Sequence, residues 1–265
     1  MYYEKFWDLK KAPFDNVPDP RFYFPSPRHE EGLSRLTYGV EARKGAVMLT
    51  GEIGCGKTML SRALVQHLVP ERYDVALIAN PSFKATDLMK EILYQLGMPQ
   101  KRSKLAMIHT LNERLLDNLK QEKDTVLIVD EAQVVTDQAI FEELRLLLNF
   151  QLNDRFLLTL ILLGQPELRS KIEAIPQLSQ RVVIRYHLLP FTVEEVGDYI
   201  EFRMKAAGAS RAVFTPDAIV AVYAATGGIP RKVNTVSDLA LLIGSMERCQ
   251  QIGPDLVKKA LVEAQ

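Results

Sequence analysis

Residues 51–58 read Gly51-Glu52-Ile53-Gly54-Cys55-Gly56-Lys57-Thr58. They follow an apolar run, residues 45–50, and precede a helical pattern, which is the strand-loop-helix context of a phosphate-binding loop. Glycines let backbone N–H groups turn toward a β-phosphate, and the helix that begins near Lys57 presents its positive end. Lys57 would neutralise β/γ-phosphate charge, and Thr58 would hold Mg²⁺. We therefore predict a nucleotide site over Gly51 to Met59; a simple glycine-rich turn is the alternative.

A pair of carboxylates follows a later strand. The run Thr125 to Val129 is apolar and β-branched, as in strands buried on both faces, and it ends in Asp130 and Glu131. Ligands of open α/β sheets bind at the carboxyl ends of strands. Asp130 suits a Mg²⁺ ligand, and Glu131 suits the base that polarises an attacking water. Taken alone, such a pair is also typical of a helix first turn. Together with the loop, it predicts one site for both motifs.

Composition limits the function classes. The chain has 265 residues and a formal net charge of zero, so nothing global attracts it to nucleic acid or anionic membrane. Its two cysteines, Cys55 and Cys249, form neither a disulfide framework nor a metal cluster. The N-terminus lacks the apolar region of a secretory signal, and no segment approaches the ~20 apolar residues of a membrane helix. We expect a cytoplasmic protein without a membrane span.

The order of elements predicts an α/β fold. Apolar strands are predicted at residues 45–50, 74–79, 125–130, 156–163 and 182–187. Helices are predicted at 29–43, 57–68, 85–96, 104–121, 137–150 and 166–173. Such alternation indicates a five-stranded parallel sheet covered by helices on both faces, in three αβα layers.

Both ends of the chain depart from this alternation. Residues 1–30 are rich in aromatics and prolines and read as an ordered, irregular arm that must lie on something. From Thr192 onward only helices are predicted, at 192–207, 215–226, 230–247 and 253–263, with Thr192 and Thr215 as caps. We therefore expect a nucleotide-binding domain over residues 1–190 and a small all-helical lid over 191–265.

These features together resemble the AAA+ ATPases, and in particular the general secretion pathway protein A (ExeA-type) family. The matching phrases run almost end to end: Pro13-Phe14 through Pro18-Asp19-Pro20-Arg21-Phe22, Thr50-Gly51-Glu52-Ile53-Gly54, Asp130-Glu131-Ala132-Gln133, Gly164-Gln165-Pro166-Glu167-Leu168, Gln180-Arg181 and Gly227-Gly228-Ile229-Pro230-Arg231. Transposition ATPases of the TnsC and MuB kind are similar more loosely. Longer family members continue into a membrane span and a peptidoglycan-binding domain; because this sequence ends at Gln265, direct cell-wall contact is not expected of it.

The resemblance implies roles for three further side chains. Gln165, at the end of the fourth core strand, resembles the sensor-1 residue that orients water and γ-phosphate; a strand-end cap is the alternative. Arg181 resembles the arginine finger supplied to a neighbour's nucleotide, although a lone arginine is more often a solvated charge. Arg231 resembles sensor 2. A helix N-terminus is an unfavourable place for a cation, so an anionic partner is expected near Arg231 independently of the resemblance.

Five other positions also receive assignments. Asn80 resembles the AAA+ residue that holds the catalytic glutamate away from water; an ordinary turn residue before Pro81 is the alternative. Pro13 and Phe14 are candidates for the adenine-side wall, as is Tyr38, for which core packing is the preferred role. Cys55 replaces the usual threonine or alanine of the loop. A helix N-terminus lowers the pKa of a thiol, which predicts sensitivity to thiol reagents.

The resemblance implies an oligomeric ATPase, in a ring or helical filament, that uses ATP and Mg²⁺ and remodels a partner complex of secretion or pilus type. The alternative is a regulator of transposition that polymerises on DNA. Lys101-Arg102-Ser103-Lys104 and Arg114 offer it a small basic patch, although such charges are more often solvated. A nucleotide-gated scaffold without turnover is a third possibility, and the presence of Glu131 argues against it.

Overall fold

The computed structural model describes residues 3–16 and 22–263. These residues form two compact units. The first, which we call the sheet unit, comprises Pro27–Gly51 and Leu60–Leu188; the second, the lid unit, comprises the described residues of Met1–Ser26, Glu52–Met59 and Leu189–Gln265. The N-terminal arm and the tip of the phosphate loop therefore group with the C-terminal helices, whereas the prediction placed both in the domain 1–190. Pro18-Asp19-Pro20-Arg21, quoted for the family resemblance, lie outside the described residues.

The sheet unit contains the predicted parallel sheet. Its strands are β1 (Ala46–Gly51), β2 (Tyr73–Ile78), β3 (Asp124–Val129), β4 (Leu158–Gly164) and β5 (Val182–Leu188). They are arranged in the order β2-β3-β4-β1-β5, and every neighbouring pair is parallel. The central strands β1 and β4 are buried along their whole length, whereas the edge strand β5 alternates between buried and exposed side chains. The five-stranded parallel sheet is confirmed.

Helices cover both faces of this sheet. They are α1 (Pro27–Glu41), α2 (Lys57–His67, which begins in the lid unit), α3 (Ala85–Gln95), α4 (Lys104–Lys120), α5 (Gln138–Leu147), α6 (Glu167–Glu173) and α7 (Pro176–Ser179). Successive strand residues point to opposite faces. Met48 faces the cluster built with α3 to α7. Val47 faces α1, where a Cβ at Gly39 would overlap it. This is the predicted three-layer αβα arrangement.

The lid unit is helical, as predicted. Its helices are α8 (Val193–Ala206), α9 (Pro216–Thr226), α10 (Pro230–Met246) and α11 (Pro254–Glu263). Thr192 and Glu195 form a reciprocal capping box at the start of α8, and the Thr215 hydroxyl accepts from the amide of Ala218 at the start of α9. These caps satisfy N–H groups that a helix start leaves without intrahelical partners. Within the described ranges, no helix is long and apolar enough to cross a membrane.

The N-terminal arm lies on these lid helices. Trp7 is buried, and its indole Nε1 donates a 2.9 Å hydrogen bond to the carbonyl oxygen of Leu241. The Arg203 guanidinium of α8 donates to the carbonyl oxygens of Pro13 and Asp15 at 2.5 and 3.0 Å. Phe14 belongs to the same apolar core. The arm is thus an integral layer of the lid unit, which supplies the surface that the sequence required for it.

Candidate active site

Three strands of the sheet unit end beside one another. β1 lies next to β4, with Thr50 opposite Gly164, and β4 lies next to β3, with Leu162 opposite Val129. Because all are parallel, their carboxyl ends meet at one edge of the sheet. The phosphate loop leaves β1 at this edge, the acid pair follows β3, and Gln165 follows β4.

The phosphate loop has the backbone conformation that its glycines permit. Gly54 and Gly56 have φ values of 85° and 100°, in the left-handed region that side-chain-bearing residues avoid. The Lys57 side chain is buried, and its Nζ donates a 3.0 Å hydrogen bond to the carbonyl oxygen of Glu52. α2 begins at Lys57. A lysine at the start of a helix, next to a glycine turn, is the donor set that polyphosphate requires.

The first turn of α10 contacts this loop within the lid unit. The backbone amide of Arg231 donates to the carbonyl oxygen of Gly54, and a Cβ at Gly54 would lie 2.7 Å from the Cβ of Arg231. Arg231 itself is exposed, and its guanidinium has no hydrogen-bond or ion-pair partner among the described residues. A helix N-terminus repels a cation. The geometry therefore favours an anion at this position.

The segment that precedes α10 also requires glycine. Gly227 and Gly228 precede α10 with φ values of 60° and 72°, and a Cβ at Gly228 would overlap the carbonyl oxygen of Phe191. The Phe191 amide in turn donates a 2.9 Å hydrogen bond to the carbonyl oxygen of Gly228. The phrase Gly227-Gly228-Ile229-Pro230 thus fixes where α10 begins and places Arg231 in its first turn.

The acid pair forms a sharp turn after β3. Asp130 is buried, and its carboxylate accepts a 2.8 Å hydrogen bond from the amide of Glu131. Glu131 has φ 51°, an uncommon conformation for a residue with a side chain, and a 3₁₀ turn follows over Ala132–Val134. The Glu131 side chain makes no capping hydrogen bond to this turn and therefore does not act as a helix cap.

Gln133 is the residue of this site to which the sequence assigned no role. Its Nε2 donates to Glu131 Oε2 at 2.5 Å, and its Oε1 accepts from the backbone amide of Gln165 at 3.0 Å. It connects the end of β3 to the end of β4. The available signal was a polar residue two positions after Glu131, inside the phrase Asp130-Glu131-Ala132-Gln133. The side chain of Gln165 is half-buried at the same edge.

Arg181 is engaged by its own chain. Its guanidinium donates to the carbonyl oxygen of Leu148 at 2.7 Å and to Asn149 Oδ1 at 2.8 Å, just beyond the end of α5. A cation stabilises the free carbonyls at a helix C-terminus. Asn80 is exposed, and the described residues include no hydrogen bond between it and Glu131. The finger and switch roles of these two residues stay predictions.

The residues considered for the adenine wall occupy different environments. Phe14 is only 2% exposed, and its ring meets Phe214 edge-on at a centroid distance of 6.0 Å. Pro13 is buried beside it, and both lie in the lid unit. Tyr38 is 55% exposed, so the core-packing role preferred for it is wrong. Adenine contact by Pro13 and Phe14 stays a prediction.

The environment of Cys55 differs from the expectation. The side chain is 1% exposed. Burial raises the pKa of the Cys55 thiol, and this outweighs the lowering effect of the nearby Lys57 ammonium. The expected low thiol pKa is therefore wrong, because removing the thiolate from water costs more than the adjacent positive charge returns.

Part of the candidate DNA-binding patch is neutralised. Lys104 pairs with Glu143 at 2.5 Å, and Arg114 pairs with Asp74 at 2.7 Å. Ser103 caps α4 by accepting from the amide of Ala106. Lys101 and Arg102 are exposed. Two of the four basic charges thus have acidic partners on the protein itself.

Comparison with known proteins identifies the family of the chain. The family model described as an AAA domain matches residues 40–172, half of the chain. General secretion pathway protein A of Aeromonas hydrophila is 40% identical over 244 residues, which are 91% of this chain and 44% of that protein. The chain therefore spans less than half the length of this curated relative.

Solved structures agree on the fold. The ORC2 protein of Aeropyrum pernix, solved as ADPNP-ADP complexes, has a TM-score of 0.71 at 19% identity, with 96% of this chain and 72% of that chain covered. The RuvB Holliday junction branch migration motor of Thermotoga maritima has a TM-score of 0.59 at 20% identity, with coverages of 88% and 69%. Because the family model covers half of the chain, including both the phosphate loop and the strand that precedes Asp130, the chain belongs to the AAA family of P-loop ATPases.

Proposed function

We propose that this chain binds ATP with Mg²⁺ and hydrolyses the β–γ phosphoanhydride bond. The observation that carries the proposal is the turn after β3, where the Glu131 carboxylate is held by Gln133 at the sheet edge at which the phosphate loop begins. A carboxylate with one oxygen fixed by a donor can use the other to polarise water. A protein that only bound nucleotide would not require such an arrangement.

Mg²⁺ fits the available donors. The described residues contain no cluster of three or more His, Cys, Asp or Glu that could enclose a metal ion. Mg²⁺ at a nucleotide needs only one or two protein ligands, because phosphates and water supply the rest. Thr58 and Asp130 would provide these oxygens. When bound, the metal would neutralise charge on the β- and γ-phosphates.

The other side chains divide the remaining tasks. Glu131 polarises the attacking water, and Gln165 orients that water against the γ-phosphate. Lys57 and Arg231 offset the negative charge that spreads over the γ-phosphate oxygens during transfer. Burial of Lys57 strengthens this effect, since charges interact more strongly away from bulk water.

A variant of Glu131 tests the catalytic proposal. Glu131→Gln keeps the size of the side chain and removes its basicity. We expect steady-state phosphate release to fall about 100-fold or more while binding of a fluorescent ATP analogue is retained. Glu113→Gln, on the exposed face of α4, is the matched control. Equal turnover in the Glu131 variant and the wild type would show that the residue is not the base.

We further propose an oligomer, in a ring or a filament, in which Arg181 reaches the nucleotide of a neighbour. To do so, Arg181 must exchange its bonds to Leu148 and Asn149 for phosphate. Mixing of two variants tests this: Arg181→Ala and Glu131→Gln should each be inactive, and the mixture should regain activity because one intact composite site forms. A mixture as inactive as its components would reject a finger in trans. Arg185→Ala, mixed in the same way, is the control.

The partner we propose is a complex of secretion or pilus type, supported by the similarity to general secretion pathway protein A. The DNA-polymerising alternative has less support, because Lys104 and Arg114 are already paired with acids. Fluorescence anisotropy with labelled duplex DNA at low salt separates the two. ATP-dependent, salt-sensitive binding would favour the alternative, and no binding would reject it.

A further inference from the structure

The side chain of Gln133 uses both ends of its amide. Nε2 donates to Oε2 of Glu131, and Oε1 accepts from the backbone amide of Gln165. Glu131 lies before β4 and Gln165 lies after it, 32 positions from Gln133. Gln133 is therefore the only described side chain that hydrogen-bonds both the acid after β3 and the backbone after β4.

The orientation of this amide follows from its partners. A backbone N–H can only donate, so the atom that faces Gln165 must be the oxygen. An ionised carboxylate can only accept, so the atom that faces Glu131 must be the nitrogen. Reversing the amide would set two donors against each other at one end and two acceptors at the other. Gln133 is thus held in a single orientation.

The backbone of Gln133 is anchored independently. Lys171 of α6 donates through Nζ to the carbonyl oxygens of Gln133 and Val135, each at 2.6 Å. Space for the side chain depends on Gly164, where a Cβ would lie 2.7 Å from Gln133 Oε1. These contacts fix the 3₁₀ turn to α6 and leave the amide at the end of β4.

We propose that Gln133 is the positioning residue for Glu131, and that it relays displacement of the Gln165 backbone to the Glu131 carboxylate. This inference rests on the proposed ATP hydrolysis. A group that contacts Gln165 and moves the end of β4 would lengthen or shorten the Oε1 bond, and the rigid amide would pass that movement to Glu131. The carboxylate would then face its water only when the end of β4 is correctly placed.

Kinetics test the positioning role. Gln133→Leu keeps the approximate volume of the side chain and removes both hydrogen bonds. We expect kcat to fall about 10- to 100-fold, with the affinity for a fluorescent ATP analogue unchanged, because a misplaced catalytic group slows chemistry without weakening binding. Gln138→Leu, an exposed position on the same segment, is the matched control. A kcat within twofold of the wild type, or a loss confined to nucleotide affinity, would overturn the proposal.

A second variant distinguishes the contributions of the two hydrogen bonds of the Gln133 side chain. Gln133→Glu keeps an acceptor for the Gln165 amide but replaces the donor to Glu131 with a like charge. We expect its kcat to fall at least as far as that of Gln133→Leu. Wild-type kcat in Gln133→Glu would show that donation to Glu131 is not required.

Selective ¹⁵N-glutamine labelling tests the geometry without turnover. One label reports both bonds, as the side-chain amide of Gln133 and the backbone amide of Gln165. In the wild type we expect both to exchange slowly with solvent. Glu131→Ala should speed exchange at the Gln133 side chain alone, and Gln133→Leu should speed exchange at Gln165. Fast exchange in the wild type would reject the relay. Absence of ATP hydrolysis with slow exchange would instead reject the proposed function and leave the contact in place.

Discussion

The backbone amide of Arg231 donates a 3.2 Å hydrogen bond to the carbonyl oxygen of Gly54. The first turn of α10 is thereby joined to the phosphate loop through main-chain atoms. No substitution at position 231 other than proline removes this bond, whereas a side chain at position 54 disturbs it sterically. Substitutions at Gly54 therefore change the shape of the loop, whereas substitutions at Arg231 change the charge beside the loop.

Gly54→Ala is expected to distort the phosphate loop. The added Cβ would lie 2.7 Å from Arg231 Cβ, and the φ of 85° is unfavourable for alanine by about 1–2 kcal/mol. We expect ATP affinity, measured by titration calorimetry, to fall at least about tenfold. Gly97→Ala is the control, since its φ is 65° but no atom lies within 4 Å of the added Cβ. Equal ATP affinity in the two variants would contradict the prediction.

Arg231→Ala is expected to change catalysis and not folding. The exposed guanidinium has no partner among residues 3–16 and 22–263, so the free energy of unfolding should change by no more than about 0.5 kcal/mol. Loss of the positive charge that we propose to offset charge on the γ-phosphate should lower kcat about 100-fold. Urea denaturation and phosphate release measure the two effects. Lys232→Ala, its exposed neighbour, should alter neither, and a large loss of stability in Arg231→Ala would indicate a structural role.

Arg203→Ala is expected to destabilise the protein. The buried guanidinium joins the arm to the lid helices through bonds to Pro13, Asp15, Tyr199 and Asn234. Its removal takes the donor from the carbonyl oxygen of the buried Pro13 and one of two donors from Asn234 Oδ1, at a cost of about 1–3 kcal/mol in the free energy of unfolding. Denaturation with guanidinium chloride measures this loss of stability. Arg155→Ala, which breaks an exposed pair with Asp154, should cost far less. Similar losses of stability in the two variants would contradict the packing of the arm in the core of the lid unit.

Asp238 is expected to make stability depend on pH. Its carboxylate accepts a hydrogen bond from the Tyr3 hydroxyl. Burial raises its pKa, and Asp15 and Glu4 raise it further, although the Tyr3 bond opposes them. A raised carboxyl pKa means that the folded state favours the protonated form, so its contribution is full below the unfolded pKa and is lost as pH rises through the folded pKa.

Asp238→Asn removes this dependence. Relative to the wild type, its free energy of unfolding should improve steadily between acidic and neutral pH, where the wild type must bury a charge. Urea denaturation at several pH values measures the difference. Asp198→Asn, an exposed position on α8, corrects for the lost charge. A difference that is independent of pH would show that Asp238 does not titrate in this range.

Cys55 is expected to resist thiol reagents in the folded protein. Its burial and raised pKa leave little exposed thiolate at neutral pH. With Ellman's reagent, the half-buried Cys249 should react first and Cys55 only as fast as the protein unfolds. Cys249→Ser isolates Cys55 for the measurement. Rapid labelling of Cys55 in this variant under native conditions would contradict the burial.

The sheet was predictable because its strands have a strong local signal. After Asp124, β3 is rich in apolar and β-branched residues and is buried, and its position was predicted within one residue. The edge strand β5 was expected to be covered on both faces, but strand order depends on contacts distant in sequence. α5 ends at Leu147, before the predicted residue 150. Arg181, 33 positions from Leu148, binds the carbonyl there. Local periodicity in the sequence cannot predict a hydrogen bond between residues so far apart.

The residues of the candidate site also differ in how readily the sequence alone identifies them. The phosphate loop and Asp130-Glu131 are contiguous phrases, so sequence alone identifies them. Gln133 has no such signal, because its importance comes from Gln165 on another strand. The packing of Phe14 likewise depends on Phe214, which lies far along the chain. The residues that we propose to act on phosphate are therefore easier to identify from the sequence than those that hold them in place.

The absence of a side chain at Gly164 has an evolutionary consequence. A methyl group there would occupy the space of Gln133 Oε1, so the two positions are not free to vary separately. Relatives that carry alanine or serine at the position of Gly164 should have a shorter or different residue at the position of Gln133. An alignment in which glutamine at the one site coexists freely with larger residues at the other would mean that this glycine is retained for a different reason.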